Sequence, residues 1–263
     1  MCHDISYSAT SIELATDYLP DLIYDNQISF DFDNAIHVLA QAFKKYPVIV
    51  TQDCFPHVKY FEWGLIAPYM NTPEKVKESR ASMVNARSEK LLDDNRSIWF
   101  RLKNNRCLIP VTGFFEHREI KGWKNKVPYH IKLKNYPFFF LLGIYNYSPN
   151  PDVETGEVVG TFSILTRAAN ELMCKIHNHG ANKNRMPVLL DPKRATKWIS
   201  DDLTETEMRE LLDFKIDDSA IDVCPVFTIR TTKPRPDGRG KIDPYLWENL
   251  PKLGTDDMQM TLL

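Results

Sequence analysis

Short hydrophobic runs along the chain predict β-strands that form the core of the fold. The runs PVIVTQD, VKYFEWGLIAP, VVGTFSILTRAA and DVCPVFTI are rich in β-branched and aromatic residues, which suit a pleated, half-buried surface. The runs KNKVPYHIKLK and FFFLLGIYNY follow one another closely and predict a β-hairpin. The run CLIPVTGFFEH predicts one buried strand that is interrupted by Gly113.

Helical patterns are fewer and shorter than the strand patterns. Apolar residues recur at helical spacing from Ile36 to Phe43, with Asp33 or Asn34 as the cap. Thr72-Pro73 predicts the start of a short helix, and LTETEMRELLDF opens with a capping box. The whole pattern predicts the α+β class, with a mainly antiparallel, barrel-like β-sheet core flanked by helices. We expect one domain over residues 1–250 and a flexible tail over residues 251–263.

Composition and charge indicate a soluble protein with no overall attraction to nucleic acid. The chain has 263 residues, of which 43% are hydrophobic and 26% charged, and its formal net charge is −2. DNA binding would therefore need a local basic groove. Five cysteines without a CxxC pair predict free thiols in a reducing compartment. The sequence shows neither a signal peptide nor a transmembrane run, so we expect a cytoplasmic protein.

The dipeptide Met1-Cys2 is a candidate reactive group. Removal of Met1 would leave Cys2 with a free α-amine, of reference pKa roughly 7.7–8, beside a thiol of roughly 8.5. Such a 1,2-aminothiol can attack one aldehyde carbon twice, first as an imine and then as a closed thiazolidine ring. While Met1 remains attached the amine is acylated and the ring cannot form. The alternative is an ordinary second residue in a frayed terminus.

Four further motifs follow Met1-Cys2 in a recognisable order. They are WGL at 63–65, NARSE at 85–89, GFFEH at 113–117 and the segment from Ile176 to Val188 that contains IH and RMPV. With these motifs the chain resembles the SOS-response-associated peptidase (SRAP) family, which includes the abasic-site shields of bacteria and animals. The resemblance implies that mature Cys2 forms a thiazolidine with the ring-opened aldehyde of an abasic site in single-stranded DNA. It also implies autocatalytic removal of Met1 and a lyase-like activity through the imine.

The resemblance assigns a role to several residues behind Cys2. Asn85 would position the nucleophile, and Glu116 would act as general acid and base, with a pKa raised by burial near Phe114-Phe115. His177 would assist ring opening and reversal of the link. His179 competes with His177, because HNHGANKN makes the loop before RMPV longer than in many family members.

Arg87 and Arg185 are the DNA-binding residues that the resemblance implies, each as a phosphate contact. Many family members carry glycine and arginine after the cysteine, whereas this chain has His3 and Asp4. A basic loop could supply the missing contact through Arg230, Lys233, Arg235, Arg239 and Lys241. Bases could stack on Trp63, Tyr69 and Trp99, although such residues are more often part of a core.

Three other functions stay open on the sequence. Cys174-x-x-His177-x-His179 could hold zinc but lacks a recognisable fourth ligand. A thiol peptidase acting on other proteins and a non-covalent single-stranded-DNA-binding module are the other two. We expect no cofactor, no resident metal and no membrane partner, and we expect a monomer that associates with the nucleoid when engaged. The segment Gln259–Leu263 resembles short peptides that bind the replication sliding clamp.

Overall fold

Two β-sheets, rich in antiparallel pairs, form the centre of the fold, and short helices flank them. The computed structural model describes residues 2–24, 36–152 and 155–255. The helices are α1 Thr10–Ala15, α2 Pro73–Ser79, α3 Glu89–Leu92, α4 Ile98–Arg101, α5 Glu171–Ile176, α6 Pro192–Ala195 and α7 Glu205–Asp213. The strands are β1 Asp4–Ser6, β2 Val38–Leu39, β3 Lys45–Gln52, β4 Phe55–Trp63, β5 Asn85–Arg87, β6 Arg106–Val111, β7 Gly113–Arg118, β8 Val127–Leu133, β9 Phe139–Tyr147, β10 Gly160–Ala168, β11 Arg185–Pro187, β12 Leu189–Leu190 and β13 Ile221–Pro225.

The larger sheet closes on itself. Its eight strands follow the order β11-β10-β4-β3-β6-β9-β12, with β5 paired to β10, and an additional pairing joins β10 to β9. The path β10-β4-β3-β6-β9 therefore returns to β10. The second sheet has five strands in the order β13-β8-β7-β1-β2. These sheets confirm the predicted α+β class and its antiparallel, barrel-like core.

Several local predictions are confirmed. Runs 47–53 and 158–169 lie largely in β3 and β10. The Thr72 side chain accepts a hydrogen bond from the backbone of Lys75, and Pro73 begins α2. Both bonds of the capping box between Thr204 and Glu207 are present at the start of α7. None of the helices in the described part of the chain is long and apolar enough to cross a membrane.

The predicted hairpin is wrong. Strand β8 pairs with β7 and β13, whereas β9 pairs with β6, β10 and β12. The two strands therefore lie in different sheets. Both are buried over almost their whole length, so no alternation of polar and apolar residues identified the partner of either strand.

The helix predicted from Ile36 to Phe43 is also wrong. Val38–Leu39 forms β2 on the edge of β1, and a 3₁₀ turn follows before Phe43 adopts a left-handed φ of 49°. Pairing with β1 satisfies backbone groups that a helix would have satisfied internally. The proposed caps at positions 33 and 34 lie outside the described residues.

The run 107–117 forms two strands rather than one, because β6 belongs to the larger sheet and β7 to the smaller. Gly113 opens β7, where a Cβ atom would lie only 2.2 Å from His130 Nε2. Only glycine leaves room here for the His130 ring and for the Ile131 carbonyl oxygen, which would lie 2.8 Å from the same Cβ atom. Strand β7 in turn pairs with β1, matching Asp4 with Phe115. This pairing brings the start of the chain beside the GFFEH motif.

Beyond residue 250 the chain still contacts the sheet. Arg118, in β7, is fully buried and donates hydrogen bonds of 2.8 Å to the carbonyl oxygens of Pro251 and Lys252. Leu253 packs against the core. Residues 256–263, which include the predicted clamp peptide, lie outside the described residues.

Candidate active site around Cys2

Cys2 lies two residues before the start of β1 and is fully buried. Asn85 Nδ2 donates a hydrogen bond of 2.8 Å to the backbone carbonyl oxygen of Cys2. The thiol donates weakly to the Asp4 carbonyl oxygen, 3.8 Å from Sγ. Burial, with the charge of Glu116 second, raises the pKa of the Cys2 thiol well above its usual value. The thiol is therefore protonated at neutral pH in this arrangement.

The position of Asn85 follows from the WGL motif and its neighbours. Buried Trp63 donates from Nε1 to the carbonyl oxygen of Val84 over 2.9 Å. Gly64, at a φ of +115°, donates its N–H to Phe162 on β10. These bonds fix the approach to β5, which then pairs in parallel with β10 and points Asn85 into the interior. Asn85 Oδ1 is buried and has no hydrogen-bond partner among the described residues.

Glu116 and His177 face one another behind Cys2. Glu116 lies on β7 and His177 directly follows α5, and 3.9 Å separates Glu116 Oε2 from His177 Nε2. The His177 Nδ1 atom lies 2.8 Å from the carbonyl oxygen of Arg185. A carbonyl oxygen only accepts, so Nδ1 carries the proton in the neutral imidazole. The lone pair of Nε2 therefore faces the carboxyl group.

Burial shifts the pKa values of this pair in opposite directions. It raises the pKa of Glu116 to about 7, and the charge of Asp4 adds to the increase. It lowers the pKa of His177 to about 4. A carboxyl group with a pKa near neutrality can both donate and accept a proton at physiological pH. The site thus combines a carboxyl group that can donate or accept a proton with an imidazole that is neutral at physiological pH.

Asp4 is a buried carboxylate with two partners from distant parts of the chain. His37 Nε2 lies 2.7 Å from Oδ1, and Arg230 donates from Nε and Nη2 over 2.9 and 2.5 Å. Burial would raise the pKa of Asp4, but the bonds from His37 and Arg230 outweigh that effect and lower it to about 2. The sequence marked Asp4 only as a departure from the family pattern. Nothing in its spacing identified His37 as a partner or selected Arg230 from the basic loop.

A solvent-filled pocket of about 320 Å³ opens onto this group of residues. Its lining includes His3, Asp4, Glu116, Lys126, His177 and Arg230. Carboxyl and imidazole are therefore reachable from solvent through the pocket. The loop that the sequence predicted as long and polar supplies another part of the wall at residues 179–182.

The two predicted phosphate-binding arginines differ in their surroundings. Arg87 is exposed at the end of β5 and donates from Nη2 to Asn182 Oδ1 over 3.1 Å. Arg185 is buried and forms a bidentate pair with Glu89 at 2.7 and 2.9 Å. Arg185 also donates to the carbonyl oxygen of Thr166 over 2.5 Å.

Of the two candidate histidines, His177 is the one that lies against Glu116. His179 pairs instead with Glu119 at the surface. Cys174 Sγ lies 3.8 Å from the carbonyl oxygen of Ala169, to which it donates. The described part of the chain contains no cluster of three or more His, Cys, Asp or Glu side chains that could hold a metal ion.

Of the aromatic residues considered for base stacking, only Tyr69 is exposed, at 53%. Trp63 and Trp99 are buried in the core. In the basic loop, Arg235 is also buried and donates to the carbonyl oxygens of Gly240, Asp243 and Pro244. Arg235 thus organises the loop rather than facing solvent.

Comparison with known proteins agrees with the fold and the motifs. The chain matches the family model for SOS response associated peptidase (SRAP) over residues 2–229, and it belongs to this family. The abasic site processing protein YoqW of Bacillus subtilis (strain 168) is 33% identical over 150 residues, which cover 57% of this chain and 60% of YoqW. YobE of the same organism, also named an abasic site processing protein, is 32% identical over 59% of this chain and 65% of its own length. The chain thus spans less than two thirds of these curated relatives.

Solved structures share the fold over nearly the whole chain. A crystal structure of a protein from Bacteroides thetaiotaomicron has a TM-score of 0.72 and 32% identity, covering 92% of this chain and 97% of that one. A protein from Bordetella bronchiseptica, at 19% identity, has a TM-score of 0.66 over 86% of this chain and 100% of its own. The second similarity concerns the fold alone.

Proposed function

We propose that this protein captures abasic sites in single-stranded DNA by forming a covalent link through Cys2 after removal of Met1. The observation that carries the proposal is the hydrogen bond from Asn85 to the Cys2 backbone, with Glu116 and His177 paired next to it. Relatives named as abasic site processing proteins support the choice of substrate.

The proposed reaction consumes one aldehyde and releases one water. The Cys2 amine attacks C1′ of the ring-opened sugar, and the resulting carbinolamine loses its hydroxyl as water to give an imine. The thiol sulfur then adds to the imine carbon while its proton passes to the nitrogen, which closes the thiazolidine. Holding amine, thiol and aldehyde together converts these encounters into intramolecular steps.

Glu116 is the proton carrier in this proposal. With a pKa of about 7 it can protonate the leaving hydroxyl and then accept the proton of the thiol. The neutral His177, whose Nε2 faces the carboxyl group, can accept the proton from the sugar hydroxyl as the ring opens. In the reverse direction the same groups return water to the imine.

Two further activities belong to the same site. Hydrolysis of the Met1–Cys2 peptide bond would consume one water and release methionine, which makes the protein its own peptidase. Loss of a proton α to the imine would allow β-elimination of the 3′ phosphate, which is a lyase reaction. Both would use the Glu116 carboxyl group. The Cys2 nitrogen would be the leaving group of the hydrolysis and would carry the imine of the elimination.

Arginines would hold the DNA backbone beside the lesion. Arg87 is exposed and keeps donors beyond the one that binds Asn182. Arg185 now forms a bidentate pair with Glu89. It could contact a phosphate only if the phosphate replaced Glu89. In this proposal Arg87 contacts a phosphate from the start, and Arg185 contacts one after the phosphate has replaced Glu89.

Intact-mass measurement of the purified protein, alone and after incubation with abasic single-stranded DNA, tests the proposal. We expect a protein mass lacking Met1, and an adduct equal to protein plus DNA minus one water. Reversible binding without an adduct would instead indicate a non-covalent DNA-binding module. Turnover of unrelated peptides without an adduct would indicate a thiol peptidase.

The sliding clamp remains a second proposed partner. It rests on the sequence of Gln259–Leu263 alone. Deleting residues 259–263 should abolish affinity for the clamp while leaving adduct formation unchanged. Equal clamp affinity in the deleted chain would exclude this partner.

A further inference from the structure

The ion pair between Asp4 and Arg230 joins two positions 226 residues apart next to the candidate active site. Asp4 is almost fully buried, whereas the Arg230 side chain is 46% exposed. The carboxylate binds Nε and Nη2 of the guanidinium group. Nη1 makes no hydrogen bond to any residue that the structure describes, so one edge of the guanidinium group keeps its donors available.

That exposed guanidinium shares a pocket with the reactive groups. Arg230, Glu116 and His177 all line it, together with Lys126. His3 also lines the pocket, but burial lowers its pKa to about 4, so it is neutral at physiological pH. Lys126 and Arg230 therefore supply the permanent positive charge of the lining that the structure describes. Arg87 does not line the pocket itself, but it donates a hydrogen bond to Asn182, which does.

We propose that Arg230, held in place by Asp4, binds a backbone phosphate of the DNA strand next to the abasic sugar. The inference rests on the proposed function and adds a residue to it. Every abasic sugar in a strand is flanked by phosphates, so an aldehyde that reaches Glu116 and His177 brings a phosphate within range of this pocket. A guanidinium group matches phosphate geometry, and a partner that fixes one edge reduces the entropy lost on binding at the other.

The ion pair explains how a cation comes to lie near Cys2 although the two residues that follow it are His3 and Asp4. Neither His3, which is neutral at physiological pH, nor Asp4 supplies a permanent positive charge beside Cys2. The structure shows that Asp4 instead brings in a cation from the loop after β13. Asp4 is thus a positioning residue, and Arg230 is the residue that touches DNA.

A purely structural ion pair is the alternative, because the same bonds also tie the loop after β13 to β1. The double variant Asp4→Asn with Arg230→Gln separates the two roles. It removes both charges and keeps the net charge of the chain. The matched control is Asp93→Asn with Arg209→Gln, which removes another ion pair, also keeps the net charge and changes no residue that lines the pocket.

The experiment measures affinity for undamaged single-stranded DNA, which forms no covalent link, as a function of salt. Each phosphate neutralised adds roughly 0.7 to the slope of log K against log salt. We expect the double variant to lose about that much slope and roughly fivefold in affinity near 0.1 M salt. An unchanged slope in the double variant, or an equal loss in the control Asp93→Asn with Arg209→Gln, would overturn the inference.

Thermal unfolding establishes that the double variant folds, and Arg230→Lys provides a second test. Lysine keeps the charge and can still pair with Asp4, but it has no second edge to offer a phosphate. It should lose affinity too, and wild-type affinity and slope in Arg230→Lys would overturn the inference. Adduct formation by the wild-type protein on abasic DNA is measured separately. Its absence would refute the proposed function, whereas an adduct with unchanged salt slopes would refute only the role of Arg230.

Discussion

Asn85 Nδ2 and the backbone carbonyl oxygen of Cys2 lie 2.8 Å apart in a hydrogen bond that spans 83 residues of chain. Because the bond reaches the backbone and not the thiol, it fixes the position of Cys2 without occupying either reactive atom. The strand that carries Asn85 is fixed in turn by β10. The closed sheet therefore fixes the position of Cys2 through β5 and Asn85.

Replacing Asn85 with alanine should slow adduct formation by more than any loss of folding stability alone would explain. Loss of one hydrogen bond of roughly 1 kcal/mol corresponds to about a fivefold slower reaction if the bond positions Cys2. Single-turnover gel assays on abasic DNA measure the rate. Asn146→Ala is the matched control, because Asn146 Nδ2 also donates to a carbonyl oxygen, that of Ile66, away from the site. Equal rates in the two variants would refute the positioning role.

Glu116→Gln should stabilise the protein at high pH. The pKa of Glu116 is raised from 4.5 to about 7 by burial. Below about pH 4.5 the carboxyl group is protonated in both the folded and unfolded chain. Between about pH 4.5 and pH 7 the Glu116 carboxyl group ionises in the unfolded chain but not yet in the folded chain. The free energy of unfolding of the wild type therefore falls by roughly 3 kcal/mol relative to the glutamine variant.

Denaturant unfolding at pH 5 and pH 8 measures this difference. The advantage of the glutamine variant should be small at pH 5 and should reach its full value just above pH 7. Glu78→Gln changes an exposed carboxylate on α2 and should alter stability by less than about 0.5 kcal/mol at either pH. A pH-independent difference between wild type and Glu116→Gln would contradict the raised pKa.

Cys2→Ser should change the type of link rather than abolish capture. Serine keeps the amine, so an imine can form, but no sulfur is available to close the stable ring. We expect an adduct that survives denaturation only after borohydride reduction, and more strand cleavage by β-elimination. Cys54→Ser, which alters an exposed thiol on the turn between β3 and β4, should behave like wild type. An adduct of Cys2→Ser that is stable without reduction would refute thiazolidine formation.

Glu89→Gln should strengthen DNA binding if Arg185 exchanges its carboxylate partner for phosphate. The change weakens the charge-assisted pair that now holds Arg185. We expect about threefold higher affinity for single-stranded DNA, since competition from roughly 0.5–1 kcal/mol of pairing is removed. Glu74→Gln, at the exposed start of α2, serves as the control for net charge. Unchanged affinity in Glu89→Gln would mean that Arg185 keeps a structural role.

The sequence predicted those parts of the molecule that short motifs or local chemistry determine. The helix at Thr72-Pro73 and the capping box of α7 depend on neighbours a few residues apart, and the structure has both. Candidate site residues were found because the motifs carry them. Asn85 and Glu116 do lie beside Cys2, Asn85 on β5 of the larger sheet and Glu116 on β7 of the smaller.

Features that depend on distant partners were not predictable in the same way. β8 is buried at all but one position and β9 over its first six residues, so their sequences carry no alternation that could assign them to different sheets. The bond from Asp4 to Arg230 joins residues with no shared pattern. The pairing of Arg185 with Glu89 was not predicted, because nothing in RMPV indicates that Glu89 lies opposite.

The bonds of Asp4 have a consequence for biosynthesis. On a ribosome Cys2 is made near the start, Glu116 and His177 much later, and Arg230 only when most of the chain exists. The groups that place and flank the nucleophile therefore meet only after nearly all of the domain has been synthesised. A nascent chain would expose its first residues long before it could direct them at an aldehyde, so under the proposed function capture would await synthesis of nearly the whole domain.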